Sequence, residues 1–240
     1  MDADRKATLA AGLFYLGTFV FSIPALGLYD GSVNVPDYVL GAGTDHGVQW
    51  GGLIEILTGL TGIGTAVALY PVLKRHAPGR AVGFVASRTL EAAMIFTGVI
   101  AVLSVFTLRE NVGGTDPATL TATADALTAV KDWTFLLGPG LMASVNAVCF
   151  ATIVRQARLL PRWIPTLGII GAPLLLASST ATLFGAWDQV STIGMLSALP
   201  IATWELSAGL YMTVKGFKNP MLGHRGVVTT PRTDRVLTEA

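Results

Sequence analysis

Six stretches of this chain are long and apolar enough to cross lipid hydrocarbon, and nothing else in the sequence constrains the fold as strongly. A spanning helix needs about 20 predominantly apolar residues. The runs that qualify are 7–29, 48–73, 81–108, 133–154, 163–184 and 191–214. Lipid offers no partner to a bare amide, so each run must close its own backbone hydrogen bonds as a helix. The expected fold is an all-α integral membrane protein, a six-transmembrane-helix bundle. Charged residues make up 13% of the chain, well below the roughly 25% of a soluble domain, which sets aside an ordinary soluble enzyme. No small-x-small cleavage site separates the first run from a soluble domain, so it reads as a spanning helix and not as a removed signal.

The segments between the runs set the topology. With the N-terminus inside, the inner segments and the tail hold 13 of the 16 Lys and Arg. The outer segments hold Arg109 and Lys131 and are otherwise acidic, with Asp30, Asp37, Asp45, Glu110, Asp116, Asp125, Asp132 and Asp188. By the positive-inside rule both termini are cytoplasmic. The expectation is a multi-pass protein of the inner (cytoplasmic) membrane, with the bilayer as its partner. Residues 1–216 form the membrane domain, and 217–240 read as a basic, mobile tail. The Thr/Ala stretch 119–128 is expected to extend the fourth helix at the surface. Gly138-Pro139-Gly140 is expected to break or kink that helix. Pro200 lies five residues before Glu205 and is expected to make the sixth helix irregular around Trp204 and Glu205. Irregular backbone at membrane depth is tolerated where it is buried or lines a cavity.

Four ionisable residues lie within the runs: Glu55, Arg88, Glu91 and Glu205. Charge at such depth is costly and usually functional or paired. At 1.5 Å per residue, Arg88 and Glu91 lie roughly 10 and 15 Å from the inner start of the third helix, and Glu205 about 13 Å from the inner end of the sixth. The three share one level. Arg88 and Glu91 are three residues apart, on one helix face. Arg88, Glu91, Trp204 and Glu205 are therefore the inner ligand-binding candidates, with Glu91 and Glu205 the candidates for acid/base catalysis. One carboxylate exceeds the available cation, and a proton, a cation or a ligand must meet it. A plain structural pairing that locks helix register explains the same residues equally well. Glu55 belongs to a shallower, secondary outer group with Lys131 and Asp132. It shares a face with Gly59, Gly62 and Ala66, small residues that turn it toward the bundle.

Other features carry ordinary readings. Trp50, Trp163 and Trp187 suit interfacial anchoring, and Cys149 suits packing. No two histidines lie on facing spans, and no phosphate loop, HExxH or GxSxG motif is present, so no cofactor or metal is expected. Nothing supports nucleic-acid binding.

Several short motifs occur in a recognisable order: Arg5-Lys6-Ala7, Ala11-Gly12-Leu13-Phe14-Tyr15-Leu16, Ala68-Leu69-Tyr70-Pro71-Val72-Leu73, Ser87-Arg88-Thr89-Leu90-Glu91, Lys131-Asp132-Trp133-Thr134-Phe135, Gly138-Pro139 and Trp204-Glu205-Leu206-Ser207-Ala208-Gly209-Leu210. With this order and spacing, most of residues 5 to 216 resembles a family of bacterial six-helix membrane proteins, the domain of unknown function 4386. The resemblance implies the six-helix architecture and a shared Arg/Glu pattern. It implies no activity.

Three function classes stay open. One is a protein that binds or transports a small amphiphilic molecule or a proton at the buried Arg/Glu cluster. Another is an intramembrane enzyme acting on a lipid or isoprenoid by carboxyl acid/base chemistry. The third is an assembly or regulatory subunit without a site.

Overall fold

The computed structural model describes residues 2–111 and 113–218, and every regular element among them is helical. The expected tail lies, from 219 onward, outside the described residues. The helices are α1 (Ala3–Asp30), α2 (Asp45–Leu73), α3 (Pro78–Glu110), α4 (Pro117–Phe135), α5 (Ala143–Gln156), α6 (Trp163–Leu183) and α7 (Thr192–Val214). A π-helical turn, Leu136–Met142, joins α4 to α5. The joined segment Pro117–Gln156 counts as one span, giving six helices long and apolar enough to cross a membrane.

Local chemistry sets where these helices start. The Asp2 carboxylate accepts from the Arg5 amide at 2.7 Å, and Asp116 accepts from the Thr119 amide at 3.1 Å. The Ser191 hydroxyl oxygen accepts from the Gly194 amide at 3.2 Å. Each side chain satisfies a donor that a helix start leaves free. Pro78 occupies the first turn of α3, where its missing N–H costs nothing.

Consecutive spans are neighbours, and α1 also packs against α7, so the six spans close into a ring. The ring is pinned by side chains at the end that carries Arg5, Arg75 and Arg155, termed here the basic end. Arg5 donates to the terminal carbonyls of α7, at 2.7 Å to Met212 and 2.7 Å to Thr213. Asp4 receives both Arg75 Nη atoms at 2.7 Å, an interaction that raises the Arg75 pKa. Burial lowers the pKa of the neighbouring His76, and the adjacent Arg75 charge adds to that. Gly12 lets α1 and α7 touch. A Cβ there would lie 2.6 Å from the Thr213 nitrogen and 2.8 Å from the Gly209 carbonyl oxygen.

The opposite end is covered by the segment between α1 and α2, which holds a short 3₁₀ turn, Tyr38–Leu40. Tyr38 and Val39 are buried there with Tyr29, Val48, Val102 and Leu120. Arg109 gathers this segment. It donates to the Tyr38 carbonyl at 2.8 Å and to the Ala42 carbonyl, pairs with Asp45 at 2.9 Å, and stacks 4.5 Å from the Tyr38 ring centroid.

The two proline-bearing stretches turn out differently. Gly138-Pro139-Gly140 interrupts the regular α-helix of the fourth span, as expected, without ending the span. The helix widens there, and the Ala143 amide reaches back five residues to the Gly138 carbonyl. A wide turn accommodates a proline without ending the helix. It also seats Gly138 against α3, where a Cβ would lie 2.9 Å from Met94 Cβ. By contrast α7 runs as one α-helix through Pro200, a correction to the irregularity expected around Trp204 and Glu205. The proline ring is accommodated by Gly171 of α6, whose Cβ position lies 2.9 Å from Pro200 Cβ. The Thr/Ala stretch does form the start of the long fourth helix.

Candidate functional site

The inner cluster forms between α3, α5 and α7. Arg88 Nη1 donates to Glu91 Oε2 at 3.0 Å, and Nη2 donates to Glu205 Oε1. Asn146 of α5 donates through Nδ2 to the same Glu91 Oε2. Arg88 lies over the ring of Tyr15, 5.1 Å from its centroid. The guanidinium thus holds two carboxylates on its edges and an aromatic ring on its face, an arrangement a lysine cannot reproduce. Among the described residues, Arg88 Nε, Asn146 Oδ1 and Trp204 Nε1 are buried and lack hydrogen-bond partners. The cluster therefore keeps unused donor and acceptor capacity.

Below Arg88, toward the basic end, the ring axis is filled by aromatics. Phe150 stacks on Phe84 at 5.1 Å and on Tyr15 at 6.0 Å between centroids, and meets Trp204 at 5.4 Å. All four side chains are essentially inaccessible. Four spans contribute one ring each to this plug.

The outer cluster sits nearer the other end. Lys131 Nζ donates to both oxygens of Glu55, at 2.6 Å to Oε2. The Tyr29 hydroxyl donates to Glu55 Oε2 at 2.9 Å. Lys131 also lies against the Tyr29 ring, 5.2 Å from its centroid. Lys131 reaches α3 at Gly98. That places the pair roughly 15 Å along the α3 axis from Arg88, at 1.5 Å per residue.

A single cavity of about 440 Å³ joins the two clusters along the ring axis. All six spans contribute to its wall. Its charged groups are Glu55, Arg88, Glu91, Lys131 and Glu205; its hydroxyls include Thr58, Thr134 and Ser179; the remaining wall is largely apolar, with Phe19, Ile95, Phe135 and Leu175. The aromatic plug closes it toward the basic end. On the side between α1 and α7, the lining residues Ile23, Leu26, Val190 and Met195 are 65%, 47%, 65% and 55% exposed. A residue that both lines a cavity and faces outward is at its mouth. The cavity thus opens sideways, between the outer halves of the two helices whose basic ends are pinned together.

The candidate residues divide accordingly. Arg88, Glu91 and Glu205 meet one another, and Glu55 meets Lys131; all five line the cavity. Trp204 and Asp132 do not line it: Trp204 belongs to the plug, and Asp132 is exposed on the outside of α4. Tyr15, Tyr29 and Asn146 complete the clusters and were not among the candidates. Asn146 carried one available signal, a primary amide in an apolar span.

Six spans closed around a polar-tipped cavity define a multi-pass helical membrane protein. The chain belongs to the family described as Domain of unknown function (DUF4386), which matches residues 10–216. No curated protein and no solved structure matches it.

Proposed function

We propose that this protein binds a small amphiphilic molecule inside its ring of spans and takes it up sideways from the bilayer, between α1 and α7. The cavity carries this reading. Its volume of about 440 Å³ falls within the roughly 300–1,000 Å³ of small-molecule sites. Apolar walls with a few fixed charges match the usual make-up of such sites. A pure register lock requires buried pairs but no space between them, so the space favours a bound molecule. We further propose that the basic end faces the cytoplasm of an inner membrane. The support for this is the distribution of Lys and Arg.

The test is photolabelling in membranes with an alkyl-diazirine amphiphile. Labelling is expected at the buried lining residues Ala92 and Leu175, competed by excess unlabelled amphiphile and lost in Ala198→Trp, which fills the cavity. Labelling confined to outward residues such as Leu196 and Leu199, and unchanged in Ala198→Trp, would overturn the proposal.

A further inference from the structure

The cavity wall carries two cations, Arg88 and Lys131, and three carboxylates, Glu55, Glu91 and Glu205. The surplus negative charge can be assigned to one residue. Lys131 is held by both oxygens of Glu55, so the outer pair is balanced. At the inner end, Glu91 is bound by both Arg88 and Asn146 and is the deeper of the two carboxylates, its side chain 11% exposed. Each carboxylate uses one oxygen, Glu91 its Oε2 and Glu205 its Oε1, but Glu91 has two donors on that oxygen and Glu205 has Arg88 alone, and Glu205 is the more exposed. Its Oε2 has no hydrogen-bond partner among the described residues, and its side chain is 15% exposed on the cavity wall. A carboxylate oxygen without a partner in a low-dielectric site draws positive charge strongly.

We infer that the ligand is an amphiphile with an alkylammonium head, which pairs with Glu205 Oε2 while the apolar body lies along the cavity. This deepens the reading of the cavity as an amphiphile site and rests on it. Phe19 and Ala202 are among the apolar residues of the same wall, and a head on Oε2 leaves the Arg88–Glu91–Asn146 contacts in place. The groups facing Glu205 set its charge environment. From α3 these are Arg88 and Glu91, and from α1 it is Tyr15, under Arg88. The facing helix α6 has no titratable side chain anywhere in Trp163–Leu183. Two sources supply this chemistry: an amine-bearing membrane lipid, or a free lipophilic amine.

The experiment compares three probes of equal chain length on the full-length protein in neutral alkyl-maltoside micelles: decyltrimethylammonium, decanol and decanoate. The expected order puts the cation first, by about tenfold or more over decanol, as close charge pairs in desolvated sites give. Glu205→Gln keeps an acceptor for Arg88 and is expected to abolish the cation preference while leaving decanol binding. Equal binding of cation and alcohol by the wild type, or a preference that survives in Glu205→Gln, would overturn the charge assignment and leave the cavity reading standing. The wild-type comparison needs no variant to fold. Binding of none of the three probes would overturn the cavity reading itself, and this inference with it. Displacement of the bound cation by added phosphatidylethanolamine assigns the ligand to the lipid source, and unaffected binding assigns it to a free amine.

Discussion

Asn146 donates to the same Glu91 oxygen that accepts from Arg88. An amide from α5 and a guanidinium from α3 therefore converge on one atom, and the contact ties the π-widened fourth span to the charged level of the cavity. Hydrogen bonds to charged groups contribute about 1.5–3 kcal/mol. Asn146→Ala is expected to lower the stability of the folded protein in mixed micelles by that much. In a Glu91→Gln background the same change is expected to cost about 1 kcal/mol less, because neighbours in one network couple. Equal losses in both backgrounds would remove Asn146 from the network.

Arg88 serves two carboxylates, so its loss strands both. Arg88→Met is expected to destabilise by about 3 kcal/mol at neutral pH, as the removal of one partner of a buried pair does. The triple variant Arg88→Met, Glu91→Gln, Glu205→Gln removes the stranded charge and is expected to regain at least half of that loss. Unfolding midpoints in the same micelles measure both, and a triple variant no more stable than the single one would refute the charge balance described for the cluster.

The approach of α1 to α7 can be tested with one carbon atom. Gly12→Ala places a Cβ 2.6 Å from the Thr213 backbone nitrogen, and overpacking of this kind costs typically about 1–3 kcal/mol. Gly27 lies on the same helix with nothing within 4 Å of its Cβ position. Gly27→Ala is expected to change stability by no more than about 0.5 kcal/mol, as an ordinary surface substitution does. A similar loss in the two variants would mean that the ends of α1 and α7 are not in contact.

Arg109 holds the segment over the far end through carbonyls at Tyr38, Gly41 and Ala42 and through Asp45. Arg109→Gln is expected to speed amide exchange across 38–43 by about tenfold, the equivalent of about 1.4 kcal/mol of local opening. The 3₁₀ turn packs on α3 and α4, so exchange within α6 is the internal control. Unchanged rates in 38–43 would show that burial of Tyr38 and Val39 alone keeps the segment in place.

The spans were legible because length and apolarity are properties of a contiguous run. The common level of Arg88, Glu91 and Glu205 was legible because depth along a helix is counted in residues. Direction around a helix is harder. Successive residues point about 100° apart, so Trp204 turns away from the cavity that Glu205 lines, and Asp132 away from the pair that Lys131 makes. Asn146 bears no charge, and one amide barely disturbs the hydropathy of its run. The union of the inner and outer clusters in one cavity depends on ring closure, and the contact that closes the ring joins the two spans farthest apart in the sequence. Gly138-Pro139-Gly140 reads as a break because proline removes a donor; the wide turn that absorbs it is stabilised by α3 and α6, which lie far away in sequence.

Arg5 and the carbonyl of Met212 are 207 residues apart, and that separation orders the protein's biosynthesis. A chain made from its N-terminus inserts α1 first and must hold it unpartnered on the α7 side until nearly the whole membrane domain has been synthesised. Throughout that interval the future cavity is a groove open to the bilayer along its full length. The last helix to insert acts as the closing stave, and its arrival turns a lipid-filled furrow into an enclosed chamber. A nascent chain halted before Thr192 would possess every charged group of the cavity except Glu205 and would lack the wall that encloses them.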